Sequence, residues 1–169
     1  MPTTSPTPTI PPPRWFWEDL TPGLTMTFGP KLVDRNEVID FAQKFDPQPF
    51  HLSEEAGKAS LFGGLAASGW HTSSMVMRLM CDGFLLDSSS LGSPGLDSLK
   101  WLKPVMVGDE IRAVMTVLAN RPMKSKAHVG LTQSRWEGIN QRGEVVLLLE
   151  SWAMFGRRHP AIAEPAKTE

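Results

Sequence analysis

The chain has 169 residues, 41% of them hydrophobic and 21% charged, a balance that suits one globular domain with a sizeable core. A net charge of -1 leaves no basic footprint able to neutralise a run of phosphates, so nucleic acid is not an expected partner. The single cysteine, Cys81, excludes a disulfide framework within the chain, no run approaches the ~18 apolar residues that span a membrane, and the N-terminus lacks a secretory pattern, so the cytoplasm is the expected compartment.

Residues 1–14 are dominated by Pro, Thr and Ser and cannot bury enough apolar surface to offset their ordering, which predicts a flexible tail. The folded domain is expected over 15–157, with a loose polar extension at 158–169 that contains Pro160 and Pro165. Leu24 to Phe28 reads as an edge strand. Asp34 with Glu37 three residues on is a capping-box variant, so a helix starts there, and Val38, Phe41, Ala42 and Phe45 fall on one apolar face. Pro47 disfavours the helical conformation at Asp46 and places that residue just past the helix end.

Ser53-Glu54-Glu55 opens a short second helix that runs to about Ser60 before Gly63-Gly64 interrupts it. From about Ser68 to Phe84 the apolar residues wrap round more than one face, which predicts a helix buried on most sides, with Cys81 packed inside. Strands follow over 98–102, 110–118, 127–136 and 145–155, separated by Pro104, Gly108-Asp109, Arg121-Pro122 and Asn140-Gln141-Arg142-Gly143. Helices first and strands later give an α+β domain, an antiparallel sheet wrapped around one central helix.

The densest chemistry lies in Phe45-Asp46-Pro47-Gln48-Pro49-Phe50-His51, where two prolines stiffen a loop that holds one carboxylate and one imidazole. Both can reach one water, orient it and move its protons, although polar loops of this composition are more often structural. Downstream, Gly63-Gly64-Leu65-Ala66-Ala67-Ser68-Gly69 leads into the central helix, whose unpaired N–H groups and dipole can receive negative charge. Glycines there serve tight helix-to-sheet packing equally well.

With Trp17-Glu18-Asp19-Leu20-Thr21-Pro22-Gly23 and Trp101-Leu102-Lys103-Pro104-Val105-Met106-Val107-Gly108-Asp109, these blocks resemble, in order, the MaoC-like or (R)-specific enoyl-CoA hydratase branch of the hotdog fold. The resemblance implies a single hotdog domain with a short helical overhang carrying the active-site loop. It implies syn addition of water to a trans-2-enoyl thioester, giving an (R)-3-hydroxyacyl thioester of fatty acid metabolism. Asp46 and His51 are then the dyad that binds and activates water, one taking its proton while the other protonates the adjacent carbon. The Gly69 amide polarises the thioester carbonyl, and Ser74 falls where the family often has a serine near the Asp. The chain departs from the family pattern at Gln48, usually Asn, and at Ser68, usually His; Trp70 replaces a smaller residue and, if turned inward, favours short or branched acids.

The resemblance further implies a homodimer acting on acyl groups bound to coenzyme A or an acyl carrier, with no cofactor. Exposed sheet edges also call for a second copy. Two other functions fit the same fold, a thioesterase and a non-catalytic acyl-thioester binding subunit. A serine hydrolase does not, because Ala67-Ser68-Gly69 lacks the nucleophile elbow, and His51, His71, His128 and His159 have no zinc-type spacing, so no metal is expected.

Overall fold

In the computed structural model, which describes residues 12–160, one antiparallel sheet carries one long helix. The strands are β1 (Thr25–Leu32), β2 (Ser90–Gly92), β3 (Ser98–Trp101), β4 (Glu110–Pro122), β5 (Val129–Ile139) and β6 (Val145–Gly156), and the helices α1 (Arg35–Phe45), α2 (Glu54–Ala59) and α3 (Gly69–Gly83). The sheet runs β1-β4-β5-β6-β2, and β3 lies along the same side of β6 as β2. This is the α+β arrangement expected of a hotdog domain. Among the described residues no helix is long and apolar enough to cross a membrane.

The helix boundaries follow local chemistry. Asp34 caps α1 by accepting from the N–H groups of Asn36 and Glu37 at 2.8 and 3.0 Å. Glu37 does not complete the expected box; its carboxylate turns to Lys31 Nζ at 2.8 Å instead. Ser53 caps α2 through the Ala56 N–H, and Ser68 caps α3 through the Trp70 N–H. Met75, Val76, Leu79, Met80 and Phe84 then meet Ala113, Met115, Val117, Trp136, Leu147 and Leu149 from the sheet, all buried. Each such side chain contributes about 1.5–3 kcal/mol of burial, which far outweighs the helix's indifferent local propensity.

Several expectations need correction. Helix α3 is buried on one side only: Trp70 is 58% exposed, and Ser74, Met77 and Arg78 are exposed along the same stripe, because the sheet covers a single face. On α1 only Val38 and Ala42 are fully buried, while Phe45 is 70% exposed. Strands β1 and β4 run to Leu32 and Pro122, past the stops read at Phe28 and Leu118. Cys81 is half-buried and unpaired with any described cysteine. Arg158 and His159 are held by Glu18 and Asp19, whereas most of the two proposed tails lies outside the described residues.

One buried group in α3 is poorly satisfied. The His71 ring stacks on Phe41 at 4.8 Å, and its Nδ1 has no hydrogen-bond partner among the described residues. Burial pushes its pKa below the ordinary 6.5, with Glu37 opposing and Lys31 reinforcing the shift. The folded form therefore refuses a proton that the unfolded chain accepts, and stability falls as pH drops from 6.5 through the lower folded value. His71→Phe keeps the stack and removes the orphaned nitrogen. It is expected to raise stability by about 1 kcal/mol, and urea unfolding on either side of the ordinary value should show a shallower loss on acidification than in the native chain.

Candidate active site

Helix α1 ends at Asp46, whose N–H still donates to the Ala42 carbonyl at 2.9 Å, because Pro47 cannot follow a helical residue comfortably. The chain then folds into a tight turn in which Gln48 N–H donates to the Asp46 carbonyl at 2.8 Å and His51 N–H to that of Gln48 at 2.9 Å. This loop turns His51 inward until it is only 5% exposed, edge-on to Phe50 and stacked against Phe62.

The two side chains meet. Asp46 Oδ2 lies 3.6 Å from His51 Nε2. The same oxygen accepts from Ser68 Oγ at 2.6 Å, and Oδ1 accepts from Gln48 Nε2 at 2.8 Å. The extra methylene of Gln48 thus lets its amide curl back onto the carboxylate. Ser68 and Gln48 hold the Asp46 carboxyl below the usual carboxylate range: the Ser68 hydroxyl is the largest cause, partial burial opposes it, and Gln48 and His51 add to the lowering.

On the other side of the imidazole, Nδ1 lies 2.7 Å from the Ala66 carbonyl oxygen. A carbonyl only accepts, so Nδ1 carries the hydrogen; in the neutral ring Nε2 is then a free acceptor aimed at Asp46. Gly69 begins α3 just beyond. Its amide donates to no described residue, as befits the first position of a helix, and it lines a cleft of about 270 Å³ together with His51, Phe62, Thr72, Trp101 and Val105.

Asp46, His51, Gln48, Ser68 and Gly69 therefore come together. Ser74 does not join them. Its hydroxyl donates back to the Trp70 carbonyl at 2.8 Å on the exposed side of α3, and Ser68, the residue capping the helix, supplies the hydroxyl at Asp46. Trp70 likewise borders an outer groove with Phe41, Phe45 and Met77, and Trp101 is the indole in the cleft. The Ala66 carbonyl had no signature in the sequence, since every residue has one; Trp101, one of six tryptophans, was visible but gave no direction.

Other motif residues are structural. Asp109 is buried, accepts from the Met106 N–H at 2.9 Å and ties Gln141 and Arg142 to the turn before β4. Gly57 lets α2 dock on the Gly63-Gly64 segment: a Cβ there would lie 2.4 Å from the Gly64 carbonyl oxygen. Both contacts brace the strand and the loop that flank the cleft.

Known proteins agree with this architecture. The sequence profile described as "MaoC like domain" matches residues 19–137. A MaoC-like dehydratase from Rhodospirillum rubrum is 40% identical, superposes with a TM-score of 0.76, and the match covers 85% of this chain and 98% of that one. Mesaconyl-CoA hydratase of Cereibacter sphaeroides is 41% identical over 69 residues, 41% of this chain but a fifth (20%) of that protein. An (R)-hydratase from A. caviae involved in PHA biosynthesis, 24% identical, covers 80% of this chain and 97% of its own, and at a TM-score of 0.64 it shares the fold. With a profile match over most of its length, the chain belongs to the MaoC-like domain family.

Proposed function

We propose that this protein is a hydro-lyase that adds water reversibly to the 2,3-double bond of a trans-2-enoyl thioester, carried by coenzyme A or an acyl carrier, to give the (R)-3-hydroxyacyl thioester. The observation that carries the reading is the fixed tautomer of His51: Nδ1 is spent on Ala66, so Nε2 and Asp46 Oδ2, 3.6 Å apart, are two acceptors for the two protons of one water. That arrangement leaves a lone pair of the water oxygen free to attack carbon 3.

As the C3–O bond forms, His51 Nε2 takes one water proton and the π electrons move onto the thioester carbonyl. The resulting enolate oxygen faces the Gly69 N–H and the positive end of α3. The imidazolium then returns the proton to carbon 2 on the same face and the carbonyl re-forms, so the elements of one water are added. Asp46, held ionised by Ser68 and Gln48, orients the water and steadies the imidazolium rather than acting as an acid.

A second copy of the chain completes this reading. Phe62, Trp101 and Leu102 at the cleft and Phe45, Trp70 and Met77 at the outer groove are exposed, a concentration of apolar surface that soluble monomers rarely leave uncovered. The strand β3 beside them is an outer strand of the sheet. Light scattering should give twice the chain mass.

The deciding experiment follows crotonyl-CoA by loss of enoyl absorbance alongside free-thiol release. Loss of the enoyl signal without thiol supports hydration, thiol release supports a hydrolytic thioesterase, and silence over a panel of enoyl thioesters supports a binding subunit. A further expectation concerns pH. Ser68→Ala removes the main cause of Asp46's low pKa, so the acid limb of kcat/KM should move to higher pH. It also removes the cap of α3, worth about 1 kcal/mol.

A further inference from the structure

Trp101 stands at the end of β3 with its indole laid across the first turn of α3. A Cβ on Gly69 would lie 2.7 Å from two of its ring carbons. The indole Nε1 donates to Ser73 Oγ at 3.1 Å, Ser73 Oγ donates in turn to the Gly69 carbonyl at 3.0 Å, and the Trp70 ring meets the indole edge-on at 5.1 Å. A side chain that is 45% exposed is thus held in one orientation beside the cleft.

One turn of α3 beyond Ser73 is Met77, which helps to line a separate apolar cavity of about 260 Å³ with Met80, Phe84, Met115 and Trp136. Among the described residues none lines both this cavity and the cleft.

We infer that Trp101, latched by Ser73, is the end wall of the acyl site and restricts the substrate to short enoyl thioesters. The inference rests on the hydration reading above. Trp101 is a specificity-determining residue: it closes the way along α3 towards Met77 and takes no part in the proton transfers.

The test compares crotonyl-, 2-hexenoyl-, 2-octenoyl- and 2-dodecenoyl-CoA on the native protein, Trp101→Ala, Trp101→Leu and Ser73→Ala. Native kcat/KM is expected to fall at least ~10-fold between crotonyl and dodecenoyl, since a wall excludes methylenes that would otherwise add favourable burial. Trp101→Ala should raise the ratio of the dodecenoyl to the crotonyl value at least ~10-fold, and Ser73→Ala should move that ratio the same way by less. A native profile that is flat to dodecenoyl overturns the inference, as does an equal loss at every length in both Trp101 variants. If the native protein hydrates nothing, the hydration reading has failed, and the wall is read from binding alone. Calorimetry should then show butyryl-CoA bound more tightly than decanoyl-CoA by the native chain and not by Trp101→Ala; equal native affinities for the two overturn the wall.

Discussion

Asp46→Asn is expected to lower kcat for crotonyl-CoA hydration by about 10²–10⁴-fold, the range that a positioned acid–base group supplies. The amide keeps the shape of the carboxylate and can still accept from Ser68 Oγ, so the loop should keep its course and the unfolding midpoint should change little. What is lost is specific. On the proposed mechanism the carboxylate, 3.6 Å from His51 Nε2, accepts a hydrogen bond from the water and stabilises the imidazolium as it forms, and an amide carries no charge to do so. His51→Ala should cost as much activity, but it should also cost stability, about 1–3 kcal/mol, because the buried Ala66 carbonyl loses its donor. Losses in the two variants that fail to add in the double variant would identify one device acting on one water. Retention of activity within ~10-fold in both would place the chemistry elsewhere.

The contrast between those two variants reflects which parts of the site the sequence could reveal. The carboxylate and imidazole were legible because two prolines and a helix cap act over a few residues: Asp34 starts α1, Pro47 stops it, and the 3₁₀ turn that follows swings His51 inward. The long strands were legible for a similar reason, their apolar content surviving any choice of neighbour. Contacts made across the fold were not. Ser68 and Ser74 both lie near the start of α3, yet only the first precedes the helix, where its hydroxyl is free to bridge Asp46 and the Trp70 N–H. A serine inside the helix returns its proton to the carbonyl four residues back, as Ser74 does.

Faces were harder still. Which of Trp70 and Trp101 reaches the cleft depends on where the sheet ends beside α3, a property of strands β3 and β6 that the helix sequence does not carry. The same blindness made α3 read as buried on most sides: Met77 and Trp70 are apolar because they border grooves and the exposed stripe, not because the sheet encloses them. The three-residue strand β2, Ser-Leu-Gly, has no β-forming pattern and exists because it can pair with Met154 and Phe155 at the edge of β6.

Gly69→Ala is the second large effect expected. Local bookkeeping predicts a gain, since alanine favours a helix over glycine by about 1 kcal/mol. The packing predicts the opposite, because the new methyl would stand 2.7 Å from Trp101 ring carbons, well inside van der Waals contact. Either the indole swings away and its bond to Ser73 breaks, or the first turn of α3 retreats and carries the Gly69 amide with it. The amide hydrogen itself survives the substitution, so the loss reports displacement rather than deletion of the donor. A shift of about 1 Å in a catalytic group costs on the order of 10²-fold, and kcat/KM for crotonyl-CoA should fall by about 10–10²-fold, mostly in kcat. In a Trp101→Ala background the methyl has room, and the same substitution should then cost less than about threefold at the carbonyl site. If Gly69→Ala costs equally in both backgrounds, the indole is not what the methyl meets, and the glycine is needed for its backbone alone.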